Sequence, residues 1–284
     1  MSEFMPLVSI IIPCFNDAVY IEQSVQSALD QTYENKEIIV VDDGSNQKTK
    51  AVLKRLEPKI DLFITQENKG TSAARNTGIA AASGDFILVL DSDDYFDPEF
   101  CEKAIAVFQK DSNIKMVTCY ARWFWNNKDF HIFKPRGGVL VNVLPNNFAM
   151  GSSMIKKIDW KNVGGYDEEM ISGFEDWEFY IRLHKNGGNT HVIPEVLFHY
   201  RKKKKSRNTM ANDSKYELQE YIFLKHADLY KENFELFTKK LLNKIKTEER
   251  EKIKNRNRID FRLGSAILRP FRFIKSIFKI NINY

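Results

Sequence analysis

Several features that mark common protein classes are missing from this sequence. Its three cysteines, Cys14, Cys101 and Cys119, are odd in number and lack metal-ligand spacing, so they favour a reducing compartment over a disulfide framework or a zinc site. No uninterrupted apolar run approaches the ~18 residues of a membrane-spanning helix, and the first residues lack the basic start and apolar core of a signal peptide. A cytosolic protein is therefore expected.

Glycine-rich nucleotide loops are also missing after the first predicted strand. The residues there are Pro13-Cys14-Phe15-Asn16, which match neither the Gly-x-Gly-x-x-Gly of a dinucleotide-dependent dehydrogenase nor the glycine-rich, arginine-containing loop of a sugar nucleotidyltransferase. A dehydrogenase is disfavoured. The nucleotidyltransferase stays an alternative hypothesis, because such an enzyme shares a similar sheet and similar metal chemistry.

The charge of the chain is concentrated at one end. Hydrophobic content of 43% and charged content of 29% are typical of a globular protein. The net charge is +5, but residues 239–284 hold 14 Lys or Arg and 4 Asp or Glu, which leaves 29 basic and 34 acidic residues before them. The acidic body disfavours nucleic-acid binding, for which salt-dependent retention on DNA is the test.

Short apolar runs alternate with helical patterns over the first 120 residues. The runs predict strands at residues 7–12, 38–41, 62–65, 86–90 and 116–120. Nearly continuous apolar strands separated by helices predict an α/β fold: one mostly parallel central sheet flanked by helices.

The rest of the chain is less regular. The pattern loosens over residues 121–150, which predicts irregular strands and loops. A helix is then expected at 172–187, followed by strands at 191–193 and 197–200, and two further helices at 213–247 and 263–280. We expect a catalytic domain over residues 1–210 and a helical extension over 211–284.

Polar residues cluster where the predicted strands end. Asn16 and Asp17 follow the first strand, Asp42 and Asp43 end the second, residues 67–69 follow the third, and residues 91–94 follow the fourth. Open α/β sheets bind ligands at the carboxyl ends of their strands. These side chains are therefore expected to line one crevice.

The segment Asp91-Ser92-Asp93 has the residue types of a divalent-cation site. Period-two alternation points Asp91 and Asp93 the same way, and Mg²⁺ or Mn²⁺ is often held by one or two carboxylates with substrate phosphates completing the shell. Solvated acids that cap the following helix are the alternative. Asp43 and Asn16 in the same crevice favour a bound cation or polar ligand.

Eight short stretches follow one another over roughly residues 7–205. They are VSIIIPCFN (8–16), EIIVVDDGS (37–45), NKG (68–70), AARN (73–76), LDSDD (90–94), GGYD (164–167), EDWE (175–178) and YR (200–201). Each stretch alone is a weak signal. In this order and at this spacing, the sequence resembles glycosyltransferase family 2, in particular inverting, non-processive members that build bacterial surface polysaccharides.

The resemblance implies a GT-A fold and a nucleotide-sugar donor, with UDP favoured. Asp43 would contact the base or ribose, Asp91 the ribose, and Asp93, with Asp91, a Mn²⁺ or Mg²⁺ ion that bridges the diphosphate. The implied nucleotide-binding residues are Pro13, Phe15, Asn16, Asp43, Lys69, Arg75, Asp91, Ser92 and Lys203. For Phe15 and Arg75 the alternatives are a packing aromatic and an exposed helix charge.

The resemblance also implies that Asp176 is the general base and that Glu175 supports the acceptor. The cation would neutralise charge on the departing diphosphate, and a carboxylate would take the proton of the acceptor hydroxyl. Inversion at the anomeric carbon is inherited from the family. Because acids are common in a first helical turn, a purely structural role for this pair is the alternative.

The sequence departs from the family at Lys203, where many relatives have a histidine that helps to ligate the metal. Either Lys203 or a neighbour meets the diphosphate as a point charge, or the metal has fewer protein ligands, or the loop is simply solvated; His199 is a weaker substitute. A catalytically silent scaffold is another alternative, which intact Asp93 and Asp176 disfavour. The absence of spanning helices and of Gln-x-x-Arg-Trp disfavours a processive synthase.

The last predicted helix is amphipathic. On a helical wheel, apolar residues gather on one side and basic residues on the other, which is typical of a helix lying in an anionic membrane surface. A peripheral position at the inner face of the cell membrane and a polyprenyl-diphosphate-linked saccharide acceptor are the resulting hypotheses. Packing of the apolar side on the body is the alternative. The apolar side comprises Leu263, Ile267, Phe271, Ile274, Ile277 and Phe278; the basic side comprises Arg262, Arg269, Arg272, Lys275 and Lys279.

Overall fold

The computed structural model describes residues 5–125, 128–203, 211 and 213–277. The chain forms two compact units, with the boundary between Glu232 and Asn233. The first unit contains the sheet and the polar strand ends, and the second contains two helices.

Within the described residues, nine strands form one sheet in the order β3-β2-β1-β4-β8-β6-β9-β5, with β7 paired to β6. The strands are β1 (Val8–Cys14), β2 (Lys36–Asp43), β3 (Leu62–Gln66), β4 (Phe86–Val89), β5 (Tyr95–Phe96), β6 (Ile114–Trp125), β7 (Lys128–Phe133), β8 (Met154–Lys156) and β9 (Asn189–Arg201).

Strands β3, β2, β1 and β4 form a parallel sheet, as the sequence predicts. Ile10 pairs with Ile38, and Ile11 pairs with Val89. All seven residues of β1 are buried because helices cover both faces, which explains its nearly continuous apolar run. All four strands end at the same edge of the sheet.

The other half of the sheet is mixed, which the sequence did not indicate. The three-residue strand β8 runs antiparallel between β4 and β6, and β9 pairs parallel to β6 and antiparallel to β5. Strand β6 continues to Trp125 and pairs antiparallel with β7, within the stretch expected to be irregular. Two reversals restore the direction of β6, so its carboxyl end lies at the same edge as that of β4.

The described part of the first unit also contains helices, several of which contact the sheet. They are α1 (Ile21–Leu29), α2 (Gln47–Leu56), α3 (Thr71–Ala81), α4 (Phe100–Lys110), α5 (Leu140–Val143), α6 (Lys157–Asn162), α7 (Glu175–His184), α8 (Lys215–Lys225) and α9 (Ala227–Glu232). Helix α7 begins at Glu175, within the helix expected at 172–187.

Helix α3 packs very close to the parallel strands at Gly78. A Cβ atom there would lie 2.5 Å from Ile11 Cγ2 and 3.1 Å from Val41 Cγ2. The absence of a side chain therefore lets α3 lie directly on β1 and β2. This contact fixes the helix that carries Arg75.

Helices α8 and α9 belong to the first unit, which reaches beyond the domain boundary expected at residue 210. Lys225 Nζ and His226 Nε2 lie 2.9 and 3.0 Å from Glu178 Oε1, and Tyr230 Oη donates to the Leu144 carbonyl at 2.8 Å. Glu178 is fully buried, so these polar contacts replace its lost hydration. The division of the chain into functional domains stays a prediction.

The second unit contains α10 (Phe234–Asn257) and α11 (Ile259–Ile277). Among the described residues, neither helix is long and apolar enough to cross a membrane. The large apolar residues of α11 whose side chains are described are exposed, including Leu263 and Ile267. Phe278 and Lys279 of the predicted amphipathic helix lie outside the described residues.

Candidate active site

The predicted strand-end residues lie together at the carboxyl edge of the parallel strands. Asp17, after β1, accepts a hydrogen bond from Ser92 Oγ at 2.6 Å and so joins the ends of β1 and β4. Asn16 has φ of +59° and joins the end of β1 to that of β2. Its backbone N–H donates to Ser45 Oγ at 3.0 Å, and its side-chain Oδ1 accepts from the backbone N–H of Asn46 at 2.8 Å. Asparagine tolerates this left-handed conformation better than most residues.

Pro13 and Phe15 flank the same turn with opposite exposures. Pro13 is buried in β1 opposite Val41, whereas the side chain of Phe15 is 46% exposed. An exposed ring at a polar crevice provides an apolar surface on which a planar ligand can stack.

Asp43 anchors the loop after β3. Its Oδ1 accepts hydrogen bonds from Gln66 Nε2 at 2.8 Å and from the Lys69 amide at 2.9 Å, and its Oδ2 accepts from the Gly70 amide at 2.9 Å. The Lys69 side chain is exposed. The predicted base-contacting acid therefore also holds the segment that carries the predicted lysine.

Arg75 is buried between two acids from distant parts of the chain. Its Nη2 donates to Asp91 Oδ1 at 2.7 Å, and its Nη1 donates to Glu175 Oε1 at 2.9 Å. The guanidinium carbon also lies 5.4 Å from the centre of the Tyr166 ring. The alternative of an exposed helix charge is wrong for Arg75, because only 2% of the residue is accessible.

Lys203 contacts two acids of the crevice. Its Nζ lies 2.8 Å from Asp17 Oδ1 and 2.8 Å from Asp93 Oδ2, and 4.6 Å from the centre of the Tyr20 ring. Burial raises the pKa of Asp93, although the charge of Lys203 opposes this shift. The ammonium group thus compensates part of the negative charge at the strand ends.

Asp91 and Asp93 fit a divalent cation in their chemistry, since Mg²⁺ is commonly held by one or two carboxylates with phosphate oxygens and water in the remaining positions. The described residues contain no group of three His, Cys, Asp or Glu side chains that could hold a metal by themselves.

Asp94 and Arg201 belong to the site in ways that the sequence did not indicate. Asp94 Oδ1 accepts from the Arg201 amide at 2.7 Å, and Arg201 Nε donates to the Asp93 carbonyl at 2.8 Å. Burial, followed by the charges of Asp93 and Asp91, raises the pKa of Asp94 well above its ordinary value. These contacts hold the end of β9, and with it Lys203, against the β4 strand end.

Asp176 lies in the first turn of α7, next to Glu175. Its Oδ2 accepts from Asn147 Nδ2 at 2.7 Å, and its Oδ1 accepts from the Trp177 amide at 2.8 Å. Burial, followed by the charge of Glu175, raises the pKa of Asp176 to about 6. A carboxylate with this pKa is mostly ionised at neutral pH and can still accept a proton.

One series of contacts connects the two predicted halves of the site. Asp91 binds Arg75, Arg75 binds Glu175, and Glu175 precedes Asp176 in the chain. A Cβ atom built at Gly151 would lie 3.4 Å from Asp176 Oδ2 and 3.6 Å from Arg75 Nη2. The structure therefore brings the strand-end acids and the acids of α7 to one place.

Asn147 and Gly151 complete this arrangement. Asn147 lies in the stretch 121–150, for which the sequence predicts only irregular strands and loops, and Gly151 follows directly after it. No spacing or motif in residues 121–150 marks Asn147 as a neighbour of Asp176. The only available signal was the run of polar and small residues between two apolar segments, which is equally typical of an ordinary loop.

Two family models match the sequence of this chain. The family model described as "Glycosyl transferase family 2" matches residues 9–158, and the model "N-terminal domain of galactosyltransferase" matches residues 144–209.

Three similar proteins come from bacteria. An uncharacterised glycosyltransferase of Haemophilus influenzae is 41% identical over 36% of this chain and 42% of its own length. Chondroitin synthase of Escherichia coli is 31% identical over 66% and 28%, and the Bacillus subtilis glycosyltransferase TuaG, named for teichuronic acid biosynthesis, is 29% identical over 71% and 81%. The chain thus matches less than half of the first two relatives.

Solved structures share the fold. S. aureus TarS in complex with UDP-GlcNAc has a TM-score of 0.61 at 21% identity, covering 71% of this chain and 60% of the other. The mannosyltransferase PcManGT of Pyrobaculum calidifontis, in complex with GDP-Man and Mn²⁺, has a TM-score of 0.58 at 19% identity, covering 73% and 60%. The predicted α/β architecture is therefore confirmed as that of GT-A glycosyltransferases. Because the family model matches more than half of its residues, this chain belongs to glycosyltransferase family 2.

Proposed function

We propose that this enzyme transfers a sugar from a nucleotide sugar, with UDP as the favoured nucleotide, to a hydroxyl group of a saccharide, with inversion at the anomeric carbon. The observation that supports this most is the buried Arg75, which joins Asp91 at the donor strand end to Glu175 beside Asp176. A nucleotide sugar bound at the strand ends and an acceptor bound at α7 would then lie next to each other, on either side of Arg75.

In the proposed reaction, the acceptor oxygen forms a bond to the anomeric carbon while the bond from that carbon to the diphosphate oxygen breaks. The bonding electron pair leaves with the nucleoside diphosphate, and the hydroxyl proton passes to Asp176. The pKa of about 6 leaves Asp176 ionised at neutral pH, as this role requires. No protein nucleophile is used.

The strand ends serve the donor. Phe15 offers its exposed ring to the base, Asp43 accepts from the base or ribose, and Asp91 contacts the ribose. A Mn²⁺ or Mg²⁺ ion held by Asp93 and Asp91 would supply Lewis-acid neutralisation of the diphosphate. Lys203, whose Nζ lies 2.8 Å from Asp93 Oδ2, adds a second positive charge near the diphosphate oxygens.

The nature of the acceptor is proposed from the relatives. Chondroitin synthase and TuaG are named for polysaccharide products, and TuaG is matched over most of its length. A growing bacterial surface polysaccharide is the corresponding acceptor. A polyprenyl-diphosphate carrier would place it at a membrane surface.

The direct test is a panel of nucleotide sugars, assayed for release of nucleoside diphosphate with Mn²⁺, with Mg²⁺ and with a chelator. Asp93→Asn is expected to weaken donor binding and abolish release. Asp176→Asn is expected to abolish transfer while donor binding persists. Asp85→Asn, an exposed acid at the amino end of β4, is the matched control and should behave as the wild type.

The outcomes separate the alternatives. Donor binding without release in the wild type would identify a silent scaffold, and synthesis of a nucleotide sugar from a sugar phosphate would identify a nucleotidyltransferase. Full activity of Asp176→Asn would refute the proposed base.

We also propose that α11 binds an anionic membrane surface. Each basic residue near such a surface contributes about 1 kcal/mol, so the basic side of this helix suffices for reversible binding. Deleting residues 258–284, which leaves Phe234–Asn257 intact, should abolish co-sedimentation with vesicles containing anionic phospholipid. Vesicles of neutral phosphatidylcholine are the control, and unchanged sedimentation of the truncated protein would refute the proposal.

A further inference from the structure

Residues 144–153, here named the 144–153 loop, lie between the helix that carries Asp176 and the end of β4. Helix α7 contacts the backbone just before this segment and within it: Trp177 Nε1 donates to the Val143 carbonyl at 2.7 Å, and Tyr180 Oη donates to the Met150 carbonyl at 2.6 Å. At its far end, Ser153 accepts from the Val89 amide at 3.3 Å through its carbonyl. The loop is therefore fixed relative to both halves of the site.

Asn147 is the residue of this loop that bonds to the Asp176 carboxylate. Its Nδ2 lies 2.7 Å from Asp176 Oδ2, and its Oδ1 accepts from the Ala149 amide at 3.3 Å. The second bond orients the side-chain amide, because exchanging its oxygen and nitrogen would place two acceptors against each other and two donors against each other. Its donating group therefore points to the carboxylate.

The backbone before Asp176 is held in a conformation that is rare for its residue type. Phe174, which precedes α7, has φ of +62° although it carries a side chain, and such residues persist only where their surroundings fix them. Among the described bonds, Asp176 Oδ1 accepts from the Trp177 amide and Oδ2 accepts from Asn147 Nδ2, so the orientation of Oδ2 depends on Asn147.

Gly151 leaves space at the same oxygen. A Cβ atom in its place would lie in van der Waals contact with Asp176 Oδ2, at 3.4 Å. With glycine there, a hydroxyl group can approach the oxygen from the side that the loop would otherwise cover.

We propose that Asn147 is the positioning residue of Asp176: its side-chain amide orients Oδ2 toward the acceptor hydroxyl and stabilises the ionised form. This rests on the proposed role of Asp176 as base. A hydrogen bond from an amide favours the charged carboxylate over its protonated form. Removing the donor is therefore expected to make Asp176 harder to deprotonate.

Other groups around Asp176 set the background for this effect. Glu175 is the neighbouring acid, Arg75 is the neighbouring cation, and the Tyr166 and Tyr180 hydroxyls interact electrostatically with Asp176. All four are the same in the wild type and in an Asn147 variant. A change in pH dependence can thus be assigned to the lost amide.

The test is the pH profile of kcat/KM for Asn147→Ala, measured with the donor and acceptor that the wild type uses. The acidic limb, which reports ionisation of the base, should move up by about one pH unit, because the lost hydrogen bond to the charged carboxylate favoured its ionised form about tenfold. At a pH below this limb the variant should lose about tenfold relative to the wild type, with a smaller loss at high pH. Donor binding should be unchanged.

Two further variants exclude a merely structural effect. Asn146→Ala removes the neighbouring amide, which donates to the Asn147 carbonyl and has no contact with Asp176 among the described bonds; its profile should match the wild type. Asn147→Gln keeps a donor on a longer side chain, so its acidic limb should move up by less than that of Asn147→Ala. An unmoved acidic limb in a folded Asn147→Ala enzyme overturns the proposal.

This failure is distinguishable from failure of the proposed function. If the wild type is active and Asp176→Asn is inactive, a normal profile for Asn147→Ala refutes only the role of Asn147. If Asp176→Asn retains full activity, the base assignment itself is wrong.

Discussion

Replacing Arg75 with methionine is expected to destabilise the first unit strongly. The guanidinium is almost fully buried and is bonded to Glu175, which is 6% exposed, and to Asp91, whose side chain is 33% exposed. Methionine keeps much of the volume but leaves two carboxylates without their cation.

The magnitude follows from the burial of the partners. Removing one member of a buried ion pair costs about 3–5 kcal/mol, because the remaining charge is left uncompensated. Glu175 is buried enough for this range to apply, whereas Asp91 can regain water and contributes less. We therefore expect a loss of about 3 kcal/mol in the free energy of unfolding.

Urea unfolding followed by tryptophan fluorescence reports on the first compact unit of the chain, since all four tryptophans lie between residues 123 and 177. In the Arg75→Met background, Glu175→Gln should recover part of the stability by removing the uncompensated charge. Lys103→Met, which removes exposed ion pairs to Glu99 and Glu195, is the control and should unfold like the wild type.

A loss below about 1 kcal/mol for Arg75→Met, the value typical of an exposed pair, would refute the reasoning. It would mean that the crevice admits enough water to solvate both carboxylates. The series of contacts between the strand ends and α7 would then have little energetic weight.

Three other changes test the packing and charge of the fold. Gly78→Ala is expected to cost about 1–3 kcal/mol in the free energy of unfolding measured with urea, because its Cβ would lie 2.5 Å from Ile11 Cγ2. Gly264→Ala meets nothing within 4 Å and should slightly increase the helicity measured by circular dichroism. Equal effects of the two substitutions would contradict this prediction. Glu178→Gln should cost about 3 kcal/mol in the free energy of unfolding at pH 7. Contacts with basic side chains outweigh burial and lower the pKa of Glu178 to about 2, so this stability is present above about pH 4.5 and is lost as the pH falls toward 2. The urea curves of wild type and variant should therefore converge toward pH 2, and a constant difference would refute this prediction. Gly151→Ala should lower transfer to a saccharide hydroxyl more than donor hydrolysis by water in a product assay, and equal losses would show that the space beside Asp176 is not an acceptor route.

The sequence by itself determined the parallel half of the sheet and the residues at its edge. Strands such as Val8–Cys14 are buried on both faces, so their apolar runs are nearly continuous and can be recognised without a structure. Because parallel strands present their carboxyl ends at one edge, the positions of Asp43 and Asp93 followed from local patterns alone.

The tertiary structure alone decided which distant residues meet. Strand β8 has three residues and no period to detect, yet its antiparallel placement brings the 144–153 loop between β4 and α7. The contact of Asn147 with Asp176 spans 29 positions, and that of Arg75 with Glu175 spans 100. A hydrogen bond of this kind depends on orienting both partners to within a few tenths of an ångström, which the packing of whole elements fixes and the identity of the residues does not.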